Sequence, residues 1–65
     1  MNIFLNGEAQ NIEFSTLFEL VQSLQLDGKR FAVEVNEQIV PKSRLVETMI
    51  QNNDKIEIIQ AVGGG

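Results

Sequence analysis

A single amphipathic helix between strand-like segments constrains the fold of this chain more than any other feature of its sequence. Its apolar residues recur at the spacing of one helical face: Leu17, Leu20, Val21 and Leu24. Thr16 and Glu19 form the pattern of a capping box, in which each side chain accepts a hydrogen bond from a free backbone N–H. Because Gly28 can adopt the left-handed conformation, we expect the helix to end near Gln25 or Leu26.

Two strands joined by a tight turn are predicted before the helix. Residues 2–5 form the first strand, and Asn6-Gly7 follows it. Asparagine and glycine tolerate the positive φ angles that a type I′ hairpin turn requires. The second strand is expected at about residues 8–14, where the pattern is typical of an edge strand.

Three further strands are predicted after the helix. The first alternates apolar residues with small or polar ones: Phe31, Val33 and Val35. Residues 36–37 form a turn, and residues 38–40 form a short strand that Pro41 ends, because proline lacks a backbone donor. We expect one or two helical turns within residues 42–53 and a last strand at residues 55–60.

The order β-β-α-β-β-β predicts an α+β domain, with a mixed sheet of four to five strands and one main helix across one face. We assign residues 1–60 to this domain and residues 61–65 to a flexible C-terminal tail. If the first and last strands lie side by side, Phe4, Ala32 and Ile59 lie on the face away from the helix. Grouped apolar side chains there suggest a docking surface, although single exposed apolar residues are ordinary.

The tail ends in glycine and therefore presents a carboxylate on Gly65. From Val62 onward it spans roughly 13 Å when extended. Because Gly63 and Gly64 have no Cβ, this backbone can enter a passage too narrow for other residues. Such a carboxylate suits a partner enzyme that activates it. A frayed terminus has the same composition, so the tail alone leaves both interpretations open.

Composition and charge exclude several kinds of function. The chain has no cysteine and no histidine, so it lacks a thiolate nucleophile, disulfides and the usual ligands for zinc. The net charge of −4 disfavours a nucleic acid partner. Residues 29–30 and 42–44 carry the only basic pairs, which are too few for a phosphate site and are expected to mark loops. No signal peptide or membrane span is predicted, so we expect a cytoplasmic protein with no membrane partner.

The element order together with the terminal diglycine resembles the ubiquitin-like β-grasp proteins. Within them, the chain resembles the ThiS family, the sulfur carriers of bacterial thiamine biosynthesis. The resemblance covers nearly the whole chain and is carried by these stretches: residues 1–7, Thr16 with Leu20, residues 33–42 and residues 54–65. Its most specific parts are Asn36-x-x-Ile39-Val40-Pro41 and the ending Ala61-Val62-Gly63-Gly64-Gly65.

The resemblance implies a covalent carrier rather than an enzyme. A ThiF-type adenylating enzyme would use ATP and magnesium to convert the Gly65 carboxylate to an acyl-adenylate. A sulfur-donor protein would then supply persulfide sulfur to give a thiocarboxylate, and the thiazole synthase ThiG would take that sulfur into the thiazole ring. Val62, Gly63 and Gly64 would enter the partner's active site. We expect no bound cofactor or metal, and a monomer when free.

Three alternatives remain at this point. The chain could be the small subunit of molybdopterin synthase, although those proteins are usually longer. It could be a ubiquitin-like modifier joined to lysines, or a binding module whose tail is incidental. One observation on the residues agrees with the sulfur carrier: a chain without cysteine holds sulfur covalently only if another group is derivatised. The C-terminal carboxyl of Gly65 is the obvious candidate.

Overall fold

Two hairpins, one short helix and a final strand build the domain. The structure is a computed structural model that describes residues 1–26 and 28–60. The elements along the chain are β1 (Asn2–Leu5), β2 (Glu8–Asn11), α1 (Leu17–Ser23), β3 (Phe31–Val35), β4 (Gln38–Val40), a 3₁₀ helix (Lys42–Glu47) and β5 (Lys55–Gln60). The predicted boundary at residue 60 stays a prediction, because residues 61–65 lie outside the described range.

The five strands form one mixed sheet in the order β2-β1-β5-β3-β4. β5 is the central strand: it runs parallel to β1 and antiparallel to β3. This arrangement confirms the predicted α+β architecture and the predicted pairing of the first and last strands. β2 is an edge strand, also as predicted. The last strand of the chain is therefore placed at the centre of the sheet.

The core lies between one face of the sheet and the helices. The sheet contributes its most buried residues from three strands: Ile3, Leu5, Val33 and Ile56. The helix contributes Leu17, Leu20 and Val21, and the 3₁₀ helix contributes Leu45. Removing these apolar side chains from water is the main stabilising contribution in a domain without disulfides.

Both hairpins turn through two consecutive residues with positive φ. The first turn has φ angles of 50° at Asn6 and 85° at Gly7, which confirms the predicted left-handed turn. The second has 51° at Asn36 and 70° at Glu37. The left-handed region is uncommon for residues other than glycine, so Glu37 occupies a less favourable conformation than Gly7 does.

The helix begins as predicted but ends earlier. Thr16 caps it and accepts from the Glu19 N–H at 3.2 Å, while Glu19 Oε1 accepts from the Thr16 N–H at 3.0 Å. The helix stops at Ser23, because Gln25 has a left-handed φ of 58°. The spacing predicts Leu24 on the same apolar face as Leu17, Leu20 and Val21, which would pack against the sheet. This is wrong for Leu24, which is 41% exposed, and Leu26 is buried instead.

β2 is shorter than the predicted residues 8–14. The Ile12 N–H donates to the Met1 carbonyl and the Met1 ammonium donates to the Ile12 carbonyl, both at 2.8 Å. Residues 13–14 have no residue of β1 opposite them, so the ladder ends and the chain leaves for the helix. Ile12 itself turns into the core. The predicted helical turns of residues 42–53 are confirmed as the 3₁₀ helix.

Candidate functional site

The start of β5 is fixed from the β3 side by a buried carboxylate. Asp54, the residue before β5, is only 9% exposed. It accepts from the Gln51 N–H at 2.8 Å and from the Asn36 side-chain amide at 2.9 Å. The Asn36 amide oxygen accepts from the Lys55 N–H at 3.0 Å, and the Asn36 N–H donates to the Lys55 carbonyl at 2.8 Å. The turn between β3 and β4 thus holds the beginning of the last strand.

The other hairpin turn holds β5 from the β1 side. The Asn6 N–H donates to the Ile56 carbonyl at 2.9 Å, and the Asn6 side-chain oxygen accepts from the Ile58 N–H at 2.9 Å. These two bonds continue the pairing of β1 with β5 beyond Leu5, which is opposite Ile56. Two turn asparagines, one from each hairpin, therefore fix the strand that leads to the tail.

The end of β5 is held on one side. Gln60, its last residue, is opposite Phe31 at the start of β3, and Ile59 is opposite Ala32. Within the described residues, β3 is the only strand that pairs with Ile59 and Gln60. The tail residues Val62, Gly63, Gly64 and Gly65, predicted as the reactive end and its stalk, lie outside the described range. In the sequence, Ala61 alone separates Val62 from Gln60, which is the singly paired end of the central strand.

The predicted docking residues all lie on the face of the sheet away from the helix, but they do not form one patch. Ile59, 56% exposed, is directly across from Ala32 near the end of β5. Phe4, 40% exposed, is opposite Lys55 at the start of β5. Ile59 lies four residues after Lys55 along β5, a distance of roughly 13 Å. We call this surface, including the residues between these positions, the open face.

Charged residues occupy the middle of the open face. Glu57 and Glu34 are direct cross-strand partners between the Ile59 end and the Phe4 end. Like charges directly opposite each other destabilise a sheet, so this pair does not contribute to folding. A hollow of about 460 Å³ lies beside Phe4 and is lined by Lys55, Glu57 and Glu37 among others. The open face thus combines two apolar ends with a charged centre.

Ile39 is a further apolar residue of the open face that is not among the predicted docking residues, and it is 72% exposed. It is opposite Glu34 in the β3–β4 hairpin, so both side chains point to the same side of the sheet. The signal was present in the sequence. A two-residue turn at residues 36–37 sets Val35 opposite Gln38, and this register places Ile39 on the face of Glu34 rather than on that of Val33.

The described residues show no sign of a metal centre or a membrane segment. In residues 1–26 and 28–60, no group of three or more Asp, Glu, His or Cys side chains is placed to bind a metal ion. Within the same ranges, no helix is long and apolar enough to cross a membrane. The pairing of Ile59 and Gln60 with β3 and the exposed apolar residues beside them make the end of β5, with the open face, the candidate site.

Comparison with known proteins gives a consistent result. The model described as the ThiS family matches residues 3–65. A sulfur carrier protein ThiS from Escherichia coli is 32% identical over 66 aligned positions, covering 100% of both chains. A sulfur carrier protein ThiS from Bacillus subtilis is 42% identical over 50 residues, covering 77% of this chain and 76% of the other.

A thiazole synthase from Paramagnetospirillum magneticum is also similar, with 39% identity over 66 aligned positions and 100% of this chain covered. The chain spans only 20% of the length of that enzyme. Among solved structures, the crystal structure of a thiamine biosynthesis protein, ThiS, from Geobacter metallireducens has a TM-score of 0.82, with 23% identity and 100% of both chains covered. This likeness confirms the predicted ubiquitin-like β-grasp fold.

Proposed function

Because this chain belongs to the ThiS family of sulfur carriers, we propose that it carries sulfur as a thiocarboxylate on Gly65 and donates it for thiazole formation in thiamine biosynthesis. One observation carries this proposal. Only Ala61 and Val62 separate the terminal glycines from the central strand of the sheet, whose start is fixed by both hairpins. This arrangement suits a protein whose terminal carboxylate is taken into another protein's active site, because the strand is held at its start and the glycines come after its end.

Activation is the first chemical requirement. A carboxylate is a poor electrophile, because its negative charge repels a nucleophile and an oxide ion is a poor leaving group. In the proposed reaction a Gly65 oxygen attacks the α-phosphorus of ATP and pyrophosphate leaves. The acyl-adenylate that results has AMP as its leaving group. A partner adenylating enzyme supplies the ATP site and magnesium, which neutralises developing charge on the phosphates.

The second chemical requirement is a source of sulfur outside this chain. The terminal sulfur of a persulfide on a donor protein attacks the acyl carbon, and AMP leaves. A thiol then attacks the donor's sulfur in the remaining S–S bond. The thiocarboxylate stays on Gly65, and a new disulfide joins the thiol to the donor. Because this chain has no cysteine, both the persulfide and the thiol belong to other molecules.

Delivery requires a surface that docks on the partner while the tail enters it. Ordering the tail costs roughly 1–2 kcal/mol per residue in lost conformational entropy. We propose that Phe4, Ala32 and Ile59, together with Ile39, offset this cost by contacting the partner from the open face. The thiazole synthase relative contains a segment similar to this whole chain, which supports thiazole synthase as one such partner.

Intact-mass analysis tests the proposed function. The chain is incubated with its adenylating enzyme, ATP, magnesium and a persulfide donor, and a variant lacking Gly65 serves as the matched control. We expect a mass gain equal to the exchange of one oxygen for sulfur at Gly65, which depends on ATP and is absent in the control. An isopeptide adduct on other proteins would instead identify a modifier. An unchanged mass would favour a binding module whose tail is incidental.

A further inference from the structure

A groove lies on the helix side of the sheet, where no site is predicted from the sequence. It has a volume of about 450 Å³ and lies between α1, the loop before β3 and the 3₁₀ helix. Its floor is apolar, with buried Val21 and Leu45 and half-buried Phe31. Phe18 lines one wall and is 38% exposed. Two phenylalanine rings thus border one accessible depression.

The rim of this groove is basic. It is lined by Lys29, Arg30 and Lys42. These are three of the five basic residues in a chain of net charge −4. The remaining two lie elsewhere: Arg44 is 3.8 Å from Glu47, and Lys55 is on the open face. Among the described residues that line the groove, none is a carboxylate. We call this site, with its apolar floor and three cations, the basic groove.

One cation of the rim is held in place before any ligand arrives. The Lys42 ammonium lies 4.3 Å from the centroid of the Phe31 ring, within the range of a cation–π interaction. It also donates to the Lys29 carbonyl at 3.4 Å, a long hydrogen bond. A side chain already restricted in this way loses less conformational entropy when it binds an anion.

The basic groove is next to the origin of the tail. Phe31, which forms part of its floor, is the cross-strand partner of Gln60, the last described residue before the tail. The Phe31 side chain points to the helix side, whereas the Ala32–Ile59 pair points to the open face. The tail therefore begins between two surfaces, one on each side of the sheet. A protein that encloses the tail comes close to both.

We propose that the basic groove binds an acidic segment of thiazole synthase that also carries an apolar side chain, which would contact Phe18 and Phe31. This inference rests on the proposed function, since it assumes that the same enzyme receives the tail. Charge supports the assignment. The net charge of −4 repels acidic proteins from the chain as a whole, whereas the three cations of the basic groove attract an acidic side chain. Lys29, Arg30 and Lys42 would set the association rate and its dependence on salt.

The test compares two arginines that receive the same change of charge. Arg30→Glu reverses a charge on the rim, and Arg44→Glu reverses an exposed charge outside the groove. Binding of each full-length variant to thiazole synthase from the same organism is measured by titration calorimetry at about 50 mM and about 300 mM salt. At low salt we expect Arg30→Glu to weaken binding about tenfold and Arg44→Glu by less than about twofold. The difference should shrink at high salt because exposed charges are screened.

A second variant and a fold control keep the test decisive. Lys29→Glu changes another exposed cation of the rim and should behave like Arg30→Glu. Urea unfolding of each variant shows whether the fold is retained. If Arg30→Glu and Arg44→Glu bind equally well, the proposal is overturned. It is also overturned if the rim variants weaken binding to the adenylating enzyme alone, because the groove would then belong to a different partner.

The two proposals fail in different ways. A wild-type chain that acquires the thiocarboxylate, together with rim variants that bind normally, would overturn the basic groove and leave the sulfur carrier standing. A wild-type chain that never gains sulfur would overturn the carrier function. In that case the affinities of Arg30→Glu and Arg44→Glu for thiazole synthase would still be compared, and this comparison alone would decide whether the basic groove binds the enzyme.

Discussion

The two ends of β5 differ in how they are held. At its start, bonds from both hairpin turns reach the strand, and the Asn36 and Asp54 side chains add a partly buried hydrogen-bonded network. At its end, Ile59 and Gln60 are paired with β3 alone within the described residues. The same six-residue strand therefore passes from a doubly anchored start to a singly anchored end.

This difference separates two tasks within one strand. The start contributes stability to the domain, since Ile56 is fully buried and Asp54 is hydrogen-bonded. The end carries exposed Ile59 and leads to the glycines. Substitutions near the start of β5 should lower the free energy of unfolding. Substitutions near its end should leave the free energy of unfolding almost unchanged and should instead affect the interaction with partner proteins.

Ile56 and Ile59 give the sharpest comparison, because both are isoleucines of β5 on opposite faces. Ile56→Ala should lower the free energy of unfolding by about 3 kcal/mol, since it leaves a cavity in the core. Ile59→Ala should lower it by less than about 0.5 kcal/mol, because the side chain is 56% exposed. Urea denaturation measures both. Similar losses in the two variants would show that the open face contributes to folding after all.

Asp54 tests the anchoring at the start of the strand. Asp54→Ala removes the acceptor of the Gln51 N–H and the Asn36 amide, so we expect a loss of about 2 kcal/mol in the free energy of unfolding. Asp54→Asn keeps the size of the side chain and one acceptor oxygen, and should lose less. Thermal unfolding of both variants provides the measurement. Wild-type stability in Asp54→Ala would mean that Asn6 and Asn36 hold β5 without the carboxylate.

Gly64 tests the opposite end. Gly64→Ala adds a methyl group to the stalk and should slow adenylation of Gly65 by about tenfold or more, because the reacting carboxylate is displaced in a narrow passage. Its unfolding midpoint should match that of the wild type. Pyrophosphate release in the presence of the adenylating enzyme measures the rate, and Ala61→Gly serves as a control for altered tail composition. Adenylation of Gly64→Ala at the wild-type rate contradicts the narrow passage.

Much of the fold was predictable because its signals are local. Asn6-Gly7 indicated a left-handed turn, and Thr16 with Glu19 indicated a capped helix start, and each depends on residues within one turn of the chain. The end of the helix was not predictable from periodicity. Leu24 fits the apolar face, yet Gln25 takes a left-handed conformation and Leu26 fills the core position. The choice between two leucines depends on tertiary packing.

The candidate sites divide in the same way. The open face followed from strand alternation, and even Ile39 could have been placed by the register of a two-residue turn. The basic groove follows from the sequence only in part. The register of the β3–β4 hairpin brings Lys42 next to Phe31 and the Lys29 carbonyl. The position of Phe18 at the same depression depends on the tertiary packing of the 3₁₀ helix against α1.

The parallel pairing of β1 with β5 has a practical consequence for assays. Since both strands run in the same direction, Met1 lies at the end of the sheet where β5 begins, and Gln60 lies at the other. An affinity tag or fluorophore attached ahead of Met1 would lie at the opposite end of the sheet from Gln60. The protein can therefore be immobilised through its amino end without the support covering the Gln60 end of β5.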